Sequence, residues 1–212
     1  MSKRQVARGM EGFGEFANEM LATWRVPGAA VAVVKDGEVL LAEGFGLRNV
    51  AKRLPATGDT VFAIGSCTKA FAATSVGIAV DDGKLDWDTP VRHYLPEFML
   101  WDAYASEHMT PRDLVSHRSG LPGHDFLWWN APFTTQDLVE RLRYLEPNAD
   151  FRAVYQYQNM MFMTAGYLVG RMAGTTWGAF VETRILRPLG MSSTYPSVVP
   201  AQASPNVSLP YH

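Results

Sequence analysis

The sequence predicts an α/β protein of the α+β kind, and three observations carry that expectation. Two β-type runs flank Asp36-Gly37, helical periodicity takes over from Ser66, and few strand-like segments follow residue 60. The composition is that of a folded chain: 212 residues, 47% apolar and 12% aromatic, with 19 basic against 21 acidic side chains and a formal charge of −2. A disordered chain would show low hydrophobicity with high net charge, and a nucleic-acid binder a basic excess. Neither is present, so no nucleic-acid partner is expected. A single cysteine, Cys67, excludes an internal disulfide and a thiolate cluster for metal, and points to a reducing compartment.

Taken in order, the first ten residues carry basic side chains but no apolar stretch of signal-peptide length before Glu11 and Glu15. The expected localisation is therefore cytoplasmic. Phe16, Met20, Leu21 and Trp24 recur at helical spacing and predict an amphipathic helix from about Gln5 to Trp24, weakened by Gly12 and Gly14 and ended by Pro27-Gly28. Ala29–Val34 and Glu38–Phe45 read as a hairpin around a type I′ turn at Asp36-Gly37. Residues 47–60, with Pro55 and Gly58, read as a crossing loop. Helices are predicted over 66–80, 135–145, 160–172 and 177–186, with a short helical turn at Asp113–His117. The apolar windows Ala29–Val34 and Ala70–Val80 are too short to span a bilayer, so no membrane partner is expected. The division is 1–60 for the N-terminal helix and hairpin, 61–195 for a mainly helical part, and 196–212 for an extended, proline-rich tail.

Candidate chemistry centres on Gly65-Ser66-Cys67-Thr68-Lys69, where an extended apolar run meets an alanine-rich helix. Positions i and i+3 share a helix face, so a Lys69 amine can take the proton of a Ser66 hydroxyl as it attacks a carbonyl. The first helical turn also offers backbone N–H groups to a developing oxyanion. The bland alternative is a helix cap beside a solvated lysine. Tyr157-Gln158-Asn159 supplies a phenol able to shuttle a proton and an amide able to bind both lysine and substrate, although Tyr155 competes with Tyr157 on residue type alone. His117, beside Ser119 and near Asp125, suggests a Ser-His-Asp triad only weakly, because no Gly-x-Ser-x-Gly elbow is present. His93, His108, His117 and His124 lack His-Glu-x-x-His spacing, so no metal site is expected. Cys67 is expected to point into helix packing as a small hydrophobe. Trp128 and Trp129 read either as a wall of a substrate crevice or as a lid on the helical core.

Several motifs then fall in one order: Phe62-Ala63-Ile64-Gly65-Ser66-Cys67-Thr68-Lys69, Asp82-Gly83-Lys84-Leu85-Asp86, Pro90-Val91, Tyr94-Leu95-Pro96, the run Thr110 to Pro122, and Pro188-Leu189-Gly190-Met191 with Thr194. Together, over about Pro27 to Thr194, they resemble the serine β-lactamase-related family, which includes class C β-lactamases, D-alanyl-D-alanine carboxypeptidases and esterases. The resemblance implies a β-lactamase/transpeptidase-like fold, a helical lobe plus an antiparallel sheet lobe with the active site between them. It makes Ser66 the nucleophile, Lys69 its activating partner, Tyr157 rather than Tyr155 the proton shuttle, and Asn159 an orienting, substrate-binding amide. His117 then belongs to a structural loop. Either Lys69 or Tyr157 is the general base. The expected reaction is acyl transfer from a small-molecule ester, amide or β-lactam to Ser66, with no cofactor.

The family's late Lys-Thr-Gly or His-x-Gly triplet has no counterpart, since no lysine follows Lys84 and no His-x-Gly follows Asn159. The resemblance therefore implies that the C-terminal strands of the sheet are missing from this sequence, and that a complementing C-terminal segment or a second copy in a homo-oligomer completes it. The competing functions are a turning-over serine hydrolase, a penicillin-binding-like sensor that holds its acyl adduct, and a silent fragment.

Overall fold

A computed structural model provides the structure of the chain and describes residues 10–211. The chain divides into two compact units: residues up to Ala63 with those from Ser193 onwards, and Ile64–Ser192.

In the first unit the opening helix, α1, spans Phe13–Thr23, starting after Gly12 in a left-handed conformation; the part of the predicted helix over residues 5–9 lies outside the described residues. Strands β1 (Gly28–Lys35) and β2 (Glu38–Asn49) pair antiparallel, with Lys35 opposite Glu38. Asp36 and Gly37 turn the chain with φ of 52° and 79°, both positive as a type I′ turn requires. The register slips between Val33 and Val34, a bulge that sharpens the strand twist. Residues 47–60 are not wholly a loop. β2 continues to Asn49, and β3 (Leu54–Pro55) adds to it as an edge strand, giving the order β1-β2-β3. Proline argued for a loop, but an edge position tolerates its missing N–H. Near the C-terminus, α10 (Val198–Gln202) precedes a parallel bridge of Val207 to Val61, and the Thr60 hydroxyl donates to Asn206 Oδ1 at 2.9 Å.

The second unit is helical. A 3₁₀ turn, Gly65–Cys67, leads into α2 (Thr68–Asp81), which closes at Gly83 with φ 68°. Short helices α3 (Val91–Tyr94), α4 (Ala103–His108), α5 (Pro111–Leu114) and α6 (Asp125–Trp128) follow. The turn expected at Asp113–His117 starts earlier, because Thr110 and Asp113 form a reciprocal capping box with proline in the first turn. α7 (Thr135–Arg141) is capped likewise by Thr134 and Asp137 and runs into a 3₁₀ turn. α8 spans Asn159–Ala173, and α9 (Trp177–Val181) continues as a π-wound turn over Glu182–Leu186. None of the helices among the described residues is long and apolar enough to cross a membrane.

The core of this unit gathers Val76, Leu95, Phe98, Leu114, Leu142, Met161 and Leu168. α2 presents small residues, Ala72, Ser75 and Ala79, on its buried face, so it packs closely against α8, and Trp177 Nε1 donates to the buried Ser75 hydroxyl at 3.1 Å. Asp113 is a fully buried carboxylate with both oxygens hydrogen-bonded. Its oxygens accept from Arg118 Nε at 2.6 Å, Arg152 Nε and Nη2 at 3.0 and 2.6 Å, and the Thr110 hydroxyl at 2.8 Å.

Candidate active site

The geometry of the site follows from two local conformations. Gly65 sits at φ 50°, a left-handed conformation that costs glycine little, and reverses the extended chain into the 3₁₀ turn. Lys69, in the first turn of α2, lies on the same face three residues on, and its Nζ reaches back to Ser66 Oγ at 3.0 Å. The second conformation is the extended backbone at Gln158 (φ −140°, ψ 116°), which sends successive side chains to opposite sides. Gln158 is buried: its Nε2 donates to the Pro122 carbonyl at 2.7 Å, and its Oε1 accepts from the Met160 N–H at 2.6 Å, capping α8. Tyr157 and Asn159 consequently emerge together on the other side.

There Lys69 uses all three of its donors. Besides Ser66 Oγ it donates to Tyr157 OH at 2.6 Å and to Asn159 Oδ1 at 2.6 Å. Ser66 Oγ and Tyr157 OH share a further hydrogen bond. Asn159 Nδ2 donates to Asp125 Oδ1 at 2.9 Å, so an ammonium on one side and a carboxylate on the other fix the amide's orientation. The Lys69 charge also lies 4.5 Å from the centre of the Tyr157 ring and 5.6 Å from that of Phe162. Donation from Lys69, then from Ser66, holds the Tyr157 phenol below the usual tyrosine range, against opposing contributions from burial and from Asp125.

The frame behind Tyr157 is His117. Held at φ 57°, it accepts the Gln156 N–H on its carbonyl at 2.7 Å and the Gln158 N–H on Nδ1 at 3.0 Å, and its ring stacks on Tyr157 at 4.5 Å. Burial first, and the Lys69 charge second, push its pKa down, consistent with a neutral ring whose Nδ1 is an acceptor. Tyr155 lies on the edge of the same ring, largely exposed, and does not join the cluster.

The cluster opens onto a cavity of about 880 Å³ walled by α2, α6 and α8, whose lining includes Ser66, Lys69, Asp125, Trp128, Trp129 and Asn159. Both tryptophans line it, but differently: Trp128 is partly buried against the helical core and Trp129 is exposed. Sequence reading missed Asp125 as a member of the cluster. It follows His124 in a left-handed conformation on a one-turn helix, and no spacing rule connects it to Asn159. The expectation for Cys67 is corrected: the thiol is exposed, because the 3₁₀ turn carries residues 65–67 on the surface before α2 enters the core.

The chain matches the Beta-lactamase family over residues 13–212. It is 38% identical over 201 residues to the Unguisins hydrolase ungD' of Aspergillus campestris, a match covering 91% of this chain and 37% of that protein. The octameric penicillin-binding protein homologue from Pyrococcus abyssi superposes with a TM-score of 0.83 at 29% identity, over 93% of this chain and 47% of that one. D-amino acid amidase from Ochrobactrum anthropi SV3, complexed with L-phenylalanine amide, gives 0.72 at 27% identity, over 87% and 52% respectively. The chain thus spans about half or less of the length of each of these proteins. With helices and a small antiparallel sheet, and with these neighbours, it has the β-lactamase/transpeptidase fold and belongs to the Beta-lactamase family.

Proposed function

We propose that the chain is a serine hydrolase part that forms an acyl-enzyme on Ser66 from an ester, amide or β-lactam carbonyl. The observation that supports this reading is the single ammonium of Lys69 holding the Ser66 hydroxyl, the Tyr157 phenol and the Asn159 amide together at the mouth of a large cavity. In the proposed reaction the Ser66 Oγ–H proton passes to the Tyr157 oxygen as Oγ bonds to the carbonyl carbon. Collapse of the tetrahedral intermediate breaks the bond to the leaving group, which takes that proton from Tyr157. Water then repeats the sequence and releases the acid. Tyr157 is assigned the base because Lys69 keeps it acidic for a phenol, while the lysine's own donors are all engaged. Asn159 holds Lys69 in place, and Trp128 and Trp129 give the acyl or leaving group apolar contact. Among the named neighbours, the D-amino acid amidase favours an amide over an ester.

Intact mass followed over time tests the reading. A fluorophosphonate should add once to the wild-type chain and not to folded Ser66→Ala; a variant that labels at the wild-type rate overturns the assignment. With a penicillin, a transient adduct indicates turnover and a persistent one a sensor.

A further inference from the structure

A second cavity, of about 320 Å³, lies wholly within the first unit. Its wall comes from stretches far apart in sequence: residues 25–28 after α1, Leu47 and Arg48 of β2, Phe62, and residues between 208 and 211. The polar side chains that line it are all donors. Arg25, Arg48 and the Ser208 hydroxyl have no side-chain hydrogen bond or ion pair among the described residues. Tyr211 OH accepts the Val50 N–H at 2.6 Å and keeps its own proton for another acceptor. The Pro27 and Arg48 carbonyls are already taken, by the Leu47 and Leu209 N–H groups at 2.7 and 3.0 Å. No aspartate or glutamate lines the cavity. Two uncompensated guanidiniums and two hydroxyls around one hollow are a receptor for an anion, because a guanidinium presents its donors as a fork that fits two oxygens of a carboxylate or phosphate. The backbone at Arg25 is an independent mark. α1 ends in a Schellman turn, with the Val26 N–H on the Leu21 carbonyl at 2.9 Å and the Arg25 N–H on that of Ala22 at 3.3 Å. Arg25 takes the left-handed position, φ 54°, that such turns usually give to glycine. A side chain is strained there, so the position gains a guanidinium at the cavity rather than an easier turn.

We propose that this cavity is a ligand site, sharing no residue with the Ser66 cluster, that binds a carboxylate or phosphate monoester carried on a small apolar body. Arg25 and Arg48 would hold the anionic oxygens, the Ser208 and Tyr211 hydroxyls would donate to those left over, and the apolar body would rest on Pro27, Leu47 and Phe62. The consequence is mechanical. This unit buries few apolar side chains, and its segment around Ser208 is held to the rest by bonds such as Ser208 N–H to the Val61 carbonyl at 2.9 Å and Leu209 N–H to that of Arg48 at 3.0 Å. A ligand gripped by Arg48 and by that segment at once fastens the two together, and stabilises the folded unit by mass action. The site is independent of the acyl-transfer reading, since different residues carry it.

Calorimetric titration of the full chain at low ionic strength tests the site, with phenyl phosphate, benzoate, inorganic phosphate and the uncharged benzamide as probes. At least one of the two aromatic anions should bind about 10- to 100-fold more tightly than both inorganic phosphate and benzamide, and the tighter of the two names the oxyanion. Arg48→Gln should weaken that ligand by about 10- to 100-fold. So should Arg25→Gly, which relieves the left-handed strain and therefore melts no lower than the wild type, separating loss of the site from loss of the fold. Hydrogen exchange locates the ligand: it should slow exchange at Ser208 and Leu209 and leave residues 159–173 unchanged. Any one of four results overturns the proposal: no saturable binding of either aromatic anion, an affinity no better than that of benzamide or inorganic phosphate, binding that both variants retain, or protection that appears over 159–173 instead.

Discussion

The two units of the chain are held by different physics. In the helical unit Phe98, Leu114, Leu142, Met161 and Leu168 have no solvent exposure, and the helices surround them from several directions. In the sheet unit Phe45 and Ala56 are the only buried apolar residues among those described, while Val34 and Val39 remain more than half exposed. A three-stranded sheet with two short helices lacks the elements to enclose a core. What defines it instead is backbone stereochemistry: a turn with two positive φ values, and glycines where one segment crosses another at close range. The lesson is that all residues proposed for chemistry lie on the unit whose geometry is enforced by packing, where a side chain is held to the tolerance that catalysis demands.

The largest effect should come from removing one oxygen from the cluster. Tyr157→Phe should slow fluorophosphonate labelling of Ser66 by about 10²- to 10⁴-fold, with the unfolding midpoint unchanged. The pH dependence sharpens the test. The base form of Tyr157 is the phenolate, and donation from Lys69 and Ser66 lowers its pKa. Labelling by the wild type should therefore rise with pH through a value below the ordinary tyrosine pKa of about 10, and Tyr157→Phe should lose that limb. A comparable loss of stability would mean that the cluster builds the unit rather than being carried by it.

Next in size is a paired core truncation. Phe98→Ala should cost about 3–5 kcal/mol, whereas Phe45→Ala, at the edge of burial, should cost roughly half as much. Two compact units make a single two-state unfolding free energy unsafe, so native-state hydrogen exchange, read separately over residues 28–49 and 159–173, is the measurement. Equal losses at the two sites would remove the distinction between the units.

Asp113 adds a pH dimension to the helical unit. Burial pushes its pKa up, but hydrogen bonds from Arg152 and Thr110, with the Arg152 charge, outweigh that and leave it below the ordinary value. A carboxylate with a lowered folded-state pKa stabilises above the unfolded pKa of about 3.9, and that contribution is lost as pH falls through the folded value. Asp113→Asn should therefore destabilise by about 3–4 kcal/mol at neutral pH, the lower part of the range for breaking a buried pair because Arg118 and Arg152 are themselves partly exposed. Urea titrations from pH 7 down to 3, read by hydrogen exchange within residues 159–173 of the helical unit, should show a flattened acid limb in the variant. An unchanged limb would move the acid sensitivity to other carboxylates.

Much of this was readable from residue order alone, for reasons that differ by element. The hairpin was legible because Asp36-Gly37 has the stereochemistry that closes two strands, and the Ser66–Lys69 contact because helical winding fixes i to i+3. The Tyr157–Asn159 pair was legible once the resemblance selected Tyr157; the extended residue between them explains why the spacing is two. Asp125 was not, because its approach to Asn159 depends on a one-turn helix entered through a left-handed histidine, a tertiary accident with no period. The same holds for β3, whose two residues carry no alternation, and for exposed Cys67, where the expectation of a buried thiol followed the residue type rather than the turn.

The smallest effect, and the sharpest probe of the sheet unit, is Gly44→Ala. A Cβ there would lie 2.3 Å from the Thr57 backbone nitrogen and 2.5 Å from the Ala56 carbonyl carbon, against backbone that no side-chain rotation can move. Over-packing of this kind costs about 1–3 kcal/mol, and here the strain must be relieved by shifting the segment that carries β3. Ala56 N–H donates to the Gly46 carbonyl at 3.0 Å, and Thr57 N–H to the Thr60 hydroxyl at 2.9 Å, so both bonds should weaken together. Hydrogen exchange should accelerate at Ala56 and Thr57 first, while the β1–β2 turn at Asp36-Gly37 keeps its protection. If exchange there is unaltered, close backbone approach is not what fixes the crossing, and the sheet unit must owe its register to the few apolar contacts around Phe45.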